Sequence, residues 1–223
     1  MSRDRAAAWW RLVRFGFRLL YNEMAFTYDA VSYVVSLGEW RTWQRAALKH
    51  LDVPPGSRVL ELAHGTANLQ IDMHMQGLRP VGLDLSRYMG RIARRKLVRR
   101  GLPADLVRAR AQALPFATGT FPAVVCTFPT EFIVHPDTLA EANRVLAPGG
   151  RLVFVVSGVL KGRGVASQGL ELAYRVTGQR AGWPPGIEDR FQAAGFGLEV
   201  VAEACRRSEA LVCIARKLPG GEV

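Results

Sequence analysis

The end of the chain constrains its fold most. Two apolar stretches, 197–204 and 209–215, are joined only by Cys205 to Ser208. A link that short cannot carry a crossover, so the strands it joins run antiparallel. The preceding 150 residues have the opposite character. Short strands are predicted at 57–62, 80–85, 105–110, 123–128 and 151–157, with helical stretches at 67–77, 86–101 and 137–147 between them. Alternation of apolar strands with helices predicts a parallel sheet covered on both faces. The expected architecture is α/β: a seven-stranded, mostly parallel sheet closed by a C-terminal antiparallel hairpin.

Ahead of the sheet, residues 5–25 read as a helix with Arg11, Arg14 and Arg18 along one stripe and Trp9, Trp10, Phe15, Phe17 and leucines over the rest. A second helical stretch runs from about Tyr28 to Leu51, and Pro54-Pro55-Gly56 punctuates before the first strand. This divides the chain into a helical segment 1–50, a ligand-binding domain 51–217 and a tail 218–223. No apolar run reaches the ~18–20 residues of a membrane span, and no signal-peptide pattern is present. The expected location is therefore cytoplasmic. Residues 5–25 are expected to serve as a lid, as an anchor to an anionic membrane surface at its inner face, or as a packed N-terminal element. Cys126, Cys205 and Cys213 lack metal-ligand spacing and read as free thiols of a reducing compartment. The net charge of +11 is uneven: residues 86–110 hold nine Lys or Arg against Asp105 alone. With no aromatic interleaving and no nucleic-acid module, that segment reads as a solvated helix face rather than a nucleic-acid site.

The stretch "VLELAHGTANLQ" (59–70) passes from strand to helix through Ala63-His64-Gly65-Thr66-Ala67, small residues alternating at 63, 65 and 67. Ligands of open parallel sheets bind beyond the carboxyl ends of the strands, and small turns let backbone approach them. Nineteen residues past Gly65, Asp84 closes the next strand in "VGLDLS", followed by Leu85. A carboxylate there can accept both hydroxyls of a ribose, so a nucleoside-containing ligand is implied. Asp84 capping the helix that opens at Ser86 is the plainer alternative. The G-x-G-x-x-G spacing that seats a pyrophosphate is absent.

The alternating small residues, "ARAQALPF" (109–116), "AVVCTFP" (123–129) and "RVLAPGGRLVFV" (144–155) together resemble the class I S-adenosylmethionine-dependent methyltransferases. "YDAVSYVVSLGEWRTW" (28–43) resembles the N-terminal segment of the ubiquinone and menaquinone C-methyltransferases, through Tyr28, Asp29, Ser36, Gly38, Arg41 and Trp43. The resemblance implies a Rossmann-like methyltransferase fold and S-adenosylmethionine as cofactor. It assigns Tyr28, Ala63, Gly65, Thr66, Asp84 and Leu85 to the cofactor site, with Glu61 orienting the cofactor's amino group. Arg110, Ala111 and Gln112 fall at the adenine position and Thr127 at the end of the fourth strand. The sequence departs from the family pattern at His64, Ala67, Arg110 and Pro122. An arginine cannot accept a hydrogen bond from the adenine amine, so Arg110 is expected to turn outward.

The implied acceptor is a small hydrophobic molecule, quinone-like or lipid-like. An adenosyl-binding chain without activity and a nucleic-acid methyltransferase using the basic 86–110 face are the alternatives. Glu131 and His135 follow the fourth strand and read either as candidates for a general base or as residues of an ordinary surface loop. His64 either packs over the cofactor or faces solvent.

Overall fold

In the computed structural model, residues 28–160 and 186–220 are described. The proposed helix 5–25 lies outside them. Among the described residues, two helices precede the sheet: α1 (Tyr28–Val35) and α2 (Trp40–Ala46), the second continued by a 3₁₀ turn over Ala47–His50. The single helix expected over 28–51 is therefore broken. The break has a local cause: Leu37 and Gly38 take left-handed φ of 51° and 85°, and Gly38 N–H returns to the Tyr33 carbonyl at 2.8 Å. Buried Ser36 donates to the Ser32 carbonyl and accepts from Trp40 N–H, tying the end of α1 to the start of α2.

The remaining elements are β1 (Arg58–Leu62), α3 (Asn68–Met75), β2 (Arg79–Leu83), α4 (Arg87–Val98), β3 (Leu106–Val107), β4 (Phe121–Thr127), a 3₁₀ turn (Glu131–Val134), α5 (Pro136–Val145), β5 (Leu146–Leu160), α6 (Ile187–Ala193), β6 (Phe196–Ala204) and β7 (Ser208–Lys217). The seven strands form one sheet in the order β3-β2-β1-β4-β5-β7-β6. The first five are parallel, and β7 pairs antiparallel with both β5 and β6. The hairpin thus forms as its short link requires, with three residues, 205–207, between the strands. The third strand is shorter than expected, two residues at a sheet edge, because β2 ends at Leu83 and the chain turns away at Asp84. Pro122 is tolerated inside β4 because it sits at an irregularity in the β4–β5 register.

Strand alternation sends side chains to two cores. Leu60, Leu62, Val124, Cys126 and Phe154 face one side with Phe191. Val59, Val125, Val153, Val155 and Val212 face the other, packed against Trp43, Leu69 and Met73. Trp43 is seated in the β5 surface: a Cβ added at Gly158 would lie 2.1 Å from its ring. Its indole N–H donates to Ser208 Oγ, which in turn donates to Glu39. The sequence 28–51 therefore supplies part of the core. Among the described residues no helix is long and apolar enough to cross a membrane.

Candidate functional site

Strands β2 and β3 lie on one side of β1, and β4 onward on the other, so the strand order reverses between β1 and β4. That reversal point is where open α/β sheets bind ligands, and the turn after β1 stands there. Ala63, Gly65 and Ala67 have φ of 55°, 53° and 66°. The alternation of small residues is thus an alternation of left-handed backbone. For the two alanines this costs roughly 1–2 kcal/mol each, a strain typical of functional turns. A Cβ added at Gly65 would meet nothing within 4 Å, so the space over the turn is open.

Asp84, one residue past β2, closes the turn from the side. One carboxylate oxygen accepts from Gly65 N–H at 2.9 Å and the other from Ser86 N–H at 2.8 Å. Ser86 itself caps α4 by accepting from Met89 N–H. Each carboxylate oxygen keeps a second lone pair, so a half-buried Asp84 can still accept two hydroxyls. Glu61 is buried at the end of β1, where Gln70 Nε2 donates to it at 2.7 Å. Burial pushes its carboxyl up to about 8; the Gln70 bond opposes this, and the negative charges of Asp84 and Asp72 add to it. The group is therefore protonated at neutral pH, and a nearby cation would ionise it.

His64 does not face solvent. The ring is buried, its Nδ1 lies 2.9 Å from the Gly65 carbonyl, and its Cδ2 would collide with a Cβ on Gly82. Burial pulls its pKa down while Asp84 pulls it up, with a net lowering. The imidazole is packed beneath the turn, over the bare backbone of β2. Gly82 is what makes that room, and a glycine inside a strand is the sequence signal for such an approach.

Thr66 donates to Asp29 at 2.6 Å. The same Asp29 accepts from Asn68 at 2.9 Å and from Lys96 at 2.6 Å, and Lys96 also reaches Asn68 at 2.5 Å. Burial raises the Asp29 carboxyl, but the bonds from Lys96, Thr66 and Asn68 outweigh it and hold it below its usual value. Helix α1 is thereby tied to the turn. The Tyr28 side chain lies outside the described residues.

Around this centre, Leu85 is exposed, and its carbonyl accepts from Arg108. Arg110 is exposed, Ala111 buried and Gln112 half-buried. Thr127 Oγ1, at the carboxyl end of β4, accepts from Gln44 Nε2 at 3.1 Å. Glu131 opens the 3₁₀ turn and is exposed. His135 caps α5: its Nδ1 accepts from Asp137 N–H at 3.2 Å. In a neutral ring that leaves Nε2 protonated, a donor rather than a base.

The ubiE/COQ5 methyltransferase family model matches residues 16–176. The chain belongs to this family. A demethylmenaquinone methyltransferase of Thermus thermophilus is 39% identical over 137 residues, covering 60% of this chain and 62% of that protein. The one from Renibacterium salmoninarum is 36% identical over 135 residues, 60% of this chain and 55% of its own. The matched region thus spans about three fifths of these curated relatives. A geranyl diphosphate methyltransferase solved with S-adenosylmethionine superposes with a TM-score of 0.62 at 17% identity, over 80% of this chain and 85% of that one. That likeness establishes the class I methyltransferase fold.

Several residues of this family member's site escape sequence reasoning. Lys96 is the only lysine in the arginine-rich 86–110 segment, a signal readable in retrospect: a compact ammonium fits a three-oxygen pocket that a planar guanidinium does not. Asn68, Gln70 and Gln44 carry no such mark, because nothing in spacing distinguishes a buried helical amide from an exposed one.

Proposed function

We propose that the chain transfers a methyl group from S-adenosylmethionine to a small hydrophobic acceptor of reduced-quinone type. The observation that carries this reading is the left-handed turn 63–67 flanked by Asp84 and Glu61 at the point where strand order reverses. The residues present fit the cofactor. Open space over Gly65, an acid with free lone pairs for the ribose and a buried carboxyl for an ammonium match its parts. Ala111 and Gln112 would flank the adenine, and Leu85 would cover it. When bound, S-adenosylmethionine supplies an already activated methyl electrophile. The chain has mainly to align the acceptor with it and keep water away. A hydroquinone ring carbon becomes nucleophilic as its hydroxyl loses a proton, and Glu131 is the group we assign to receive it; once that carbon bears the methyl, its own hydrogen leaves as a proton and the oxygen regains one, restoring the aromatic hydroquinone.

The acceptor type rests on family membership and on relatives named demethylmenaquinone methyltransferases. An apolar acceptor of this kind is met at a bilayer, and residues 5–25, with paired tryptophans and an arginine stripe, suit the inner, anionic face of a membrane. Co-sedimentation with anionic vesicles at low salt, lost when Trp9 and Trp10 become serine, would support that; no sedimentation of either form would remove the membrane from the account. For the reaction itself, the full chain is incubated with S-adenosylmethionine and a reduced, short-chain demethylmenaquinone. S-adenosylhomocysteine and a C-methylated ring are the expected products. Failure to methylate this and other hydroquinones, in a protein that binds S-adenosylhomocysteine, would overturn the acceptor assignment.

A further inference from the structure

Helix α4 carries unbalanced charge. It holds Arg87, Arg91, Arg94, Arg95 and Lys96 and no acidic residue. Met89, Ala93 and Leu97 are buried, and the last two pack with Ala67 of the cofactor turn and Ile71 of α3. Helix residues three or four apart share a face, so Arg87, Arg91, Arg94, Arg95 and Val98 stand on the opposite side. All of these are exposed, and Arg99 and Arg100 carry the exposed charge past the helix end.

Among the described residues, nothing neutralises this stripe. Lys96, at its inner margin, pairs with Asp29 of α1 at 2.6 Å. The arginines differ. Arg87 donates to the Tyr88 hydroxyl and Arg100 to the Lys96 carbonyl, while Arg91, Arg94, Arg95 and Arg99 form no ion pair with a described residue. Arg87 and Arg91, Arg91 and Arg95, and Arg95 and Arg99 are like charges at i,i+4 spacing, which repel. Arg87 also opens the helix where its dipole favours an acid. An anionic surface brought against the stripe would relieve that repulsion.

The apolar neighbours decide which surface that is. Val98, in the stripe itself, is 60% exposed. On α1, which the Asp29–Lys96 pair holds alongside, Val31, Tyr33, Val34 and Leu37 are exposed as well. A nucleic acid is gripped by aromatic faces that stack on its bases. The one ring of α4, Tyr88, has the Arg87 guanidinium over it, 4.9 Å from its centre. Aliphatic side chains among arginines suit a lipid headgroup layer instead, where arginine meets phosphate and the apolar side chain reaches the acyl boundary. We propose that the outward face of α4, from Arg87 to Arg99, is a docking surface for an anionic bilayer. Because α4 packs on the cofactor turn through Ala67, a bilayer held there lies close to that turn. This goes beyond the proposed function, in which residues 5–25 meet the membrane. An apolar segment attaches a protein reversibly, and a basic patch is the second signal that makes attachment stable. The surface stands on its own charge and exposure, whatever the acceptor.

The test uses the full chain at low salt with vesicles of phosphatidylcholine alone and of phosphatidylcholine and phosphatidylglycerol in equal parts. The reading is the ratio of binding to the anionic over the neutral vesicles, from which purely apolar attachment cancels. Each basic residue near an anionic surface is worth about fivefold, so Arg91→Gln, Arg94→Gln and Arg95→Gln together should lower the ratio on the order of a hundredfold. Arg91→Lys, Arg94→Lys and Arg95→Lys together should keep it, because the charge remains. A second measurement locates the face and leaves the stripe's arginines intact. In a Cys205→Ser background, a polarity-sensitive dye on Val98→Cys should shift to the blue with anionic vesicles. The same dye on Val200→Cys, exposed on the far edge strand β6, should not. A ratio indifferent to the Gln substitutions, or a shift at position 200 without one at 98, overturns the proposal. So does tighter binding of polyadenylate than of the anionic vesicles, which would make the stripe a nucleic-acid surface. Vesicle binding is read without substrate, so its failure is distinct from a failure of methyl transfer.

Discussion

The two helices ahead of the sheet are held to it by opposite means. Helix α2 is fixed by burial: Trp43 is 1% exposed and lies over Gly158, with Ala46 and Ala47 beside it in the core. Helix α1 is fixed by charge: Asp29 binds Thr66, Asn68 and Lys96, while Val31, Tyr33 and Val34 remain exposed. Burial is non-directional and is not screened by salt; an ion pair with partly exposed partners is directional and screened. The difference separates scaffold from site. What α2 does should be read in stability, and what α1 does in cofactor affinity.

The sharpest way to break the comparison is Trp43→Ala. It removes a fully buried aromatic and strands Ser208, and should cost about 3–5 kcal/mol in urea unfolding. A loss below about 1 kcal/mol would mean that α2 is not seated as described.

Next in size is the effect of pH on the cofactor centre. Glu61 holds its proton in the folded state to about pH 8, whereas an unfolded glutamate, with its value near 4.5, has already released it. The folded state thus binds more protons between those limits, so this residue's contribution to stability declines as pH rises through that window. An ammonium that pairs with Glu61 favours the ionised form. Binding of S-adenosylhomocysteine should therefore release a proton at pH 7 and tighten by roughly tenfold or more between pH 6 and pH 8. Calorimetry in buffers of different ionisation enthalpy reads this directly, and Glu61→Gln should abolish both effects. An affinity that is flat with pH in the unmodified protein would separate Glu61 from the ligand.

A smaller effect sharpens the α1 side. Lys96→Met leaves Asp29 without its cation, and S-adenosylhomocysteine affinity should fall about fivefold while the urea midpoint of the sheet hardly moves. The salt dependence of binding should weaken in the same variant. Equal losses in affinity and global stability would make Lys96 part of the scaffold instead.

The contrast between the helices also marks what was legible in the chain. Burial writes itself as pattern. The apolar strands, the helices between them and the hairpin forced by residues 205–208 were all readable, because periodicity records which face is covered. The turn was readable too, since backbone that must approach a ligand closely favours small residues such as those at 63, 65 and 67. The break after α1 was missed because one glycine at 38 inside a helical pattern is ordinary until its φ is known. Polar partnerships were the least visible. Neither the bond from Thr66 to Asp29 nor the packing of His64 against Gly82 could be read from the sequence. Hydrogen bonds join residues far apart in sequence, and no local pattern announces them.

The smallest effect tests the backbone of the turn alone. Ala67→Gly relieves a left-handed φ but gives up a buried methyl, contributions of opposite sign and about 1 kcal/mol each. Stability should change by less than about 1 kcal/mol while cofactor binding persists. Ala67→Val, branched at a φ of 66°, should lose binding. Tight binding by the valine variant would contradict the strained turn.

The central claim is that the turn after β1 and the acid after β2 form one cofactor site, and Asp84 is where they meet. The direct measurement is calorimetric titration of the full chain and of Asp84→Ala with S-adenosylhomocysteine. Loss of charge-assisted hydrogen bonds worth roughly 1.5–3 kcal/mol predicts at least about a tenfold fall in affinity. Unchanged affinity in a folded Asp84→Ala protein would contradict the account, because the ribose would then have to be held somewhere other than the end of β2.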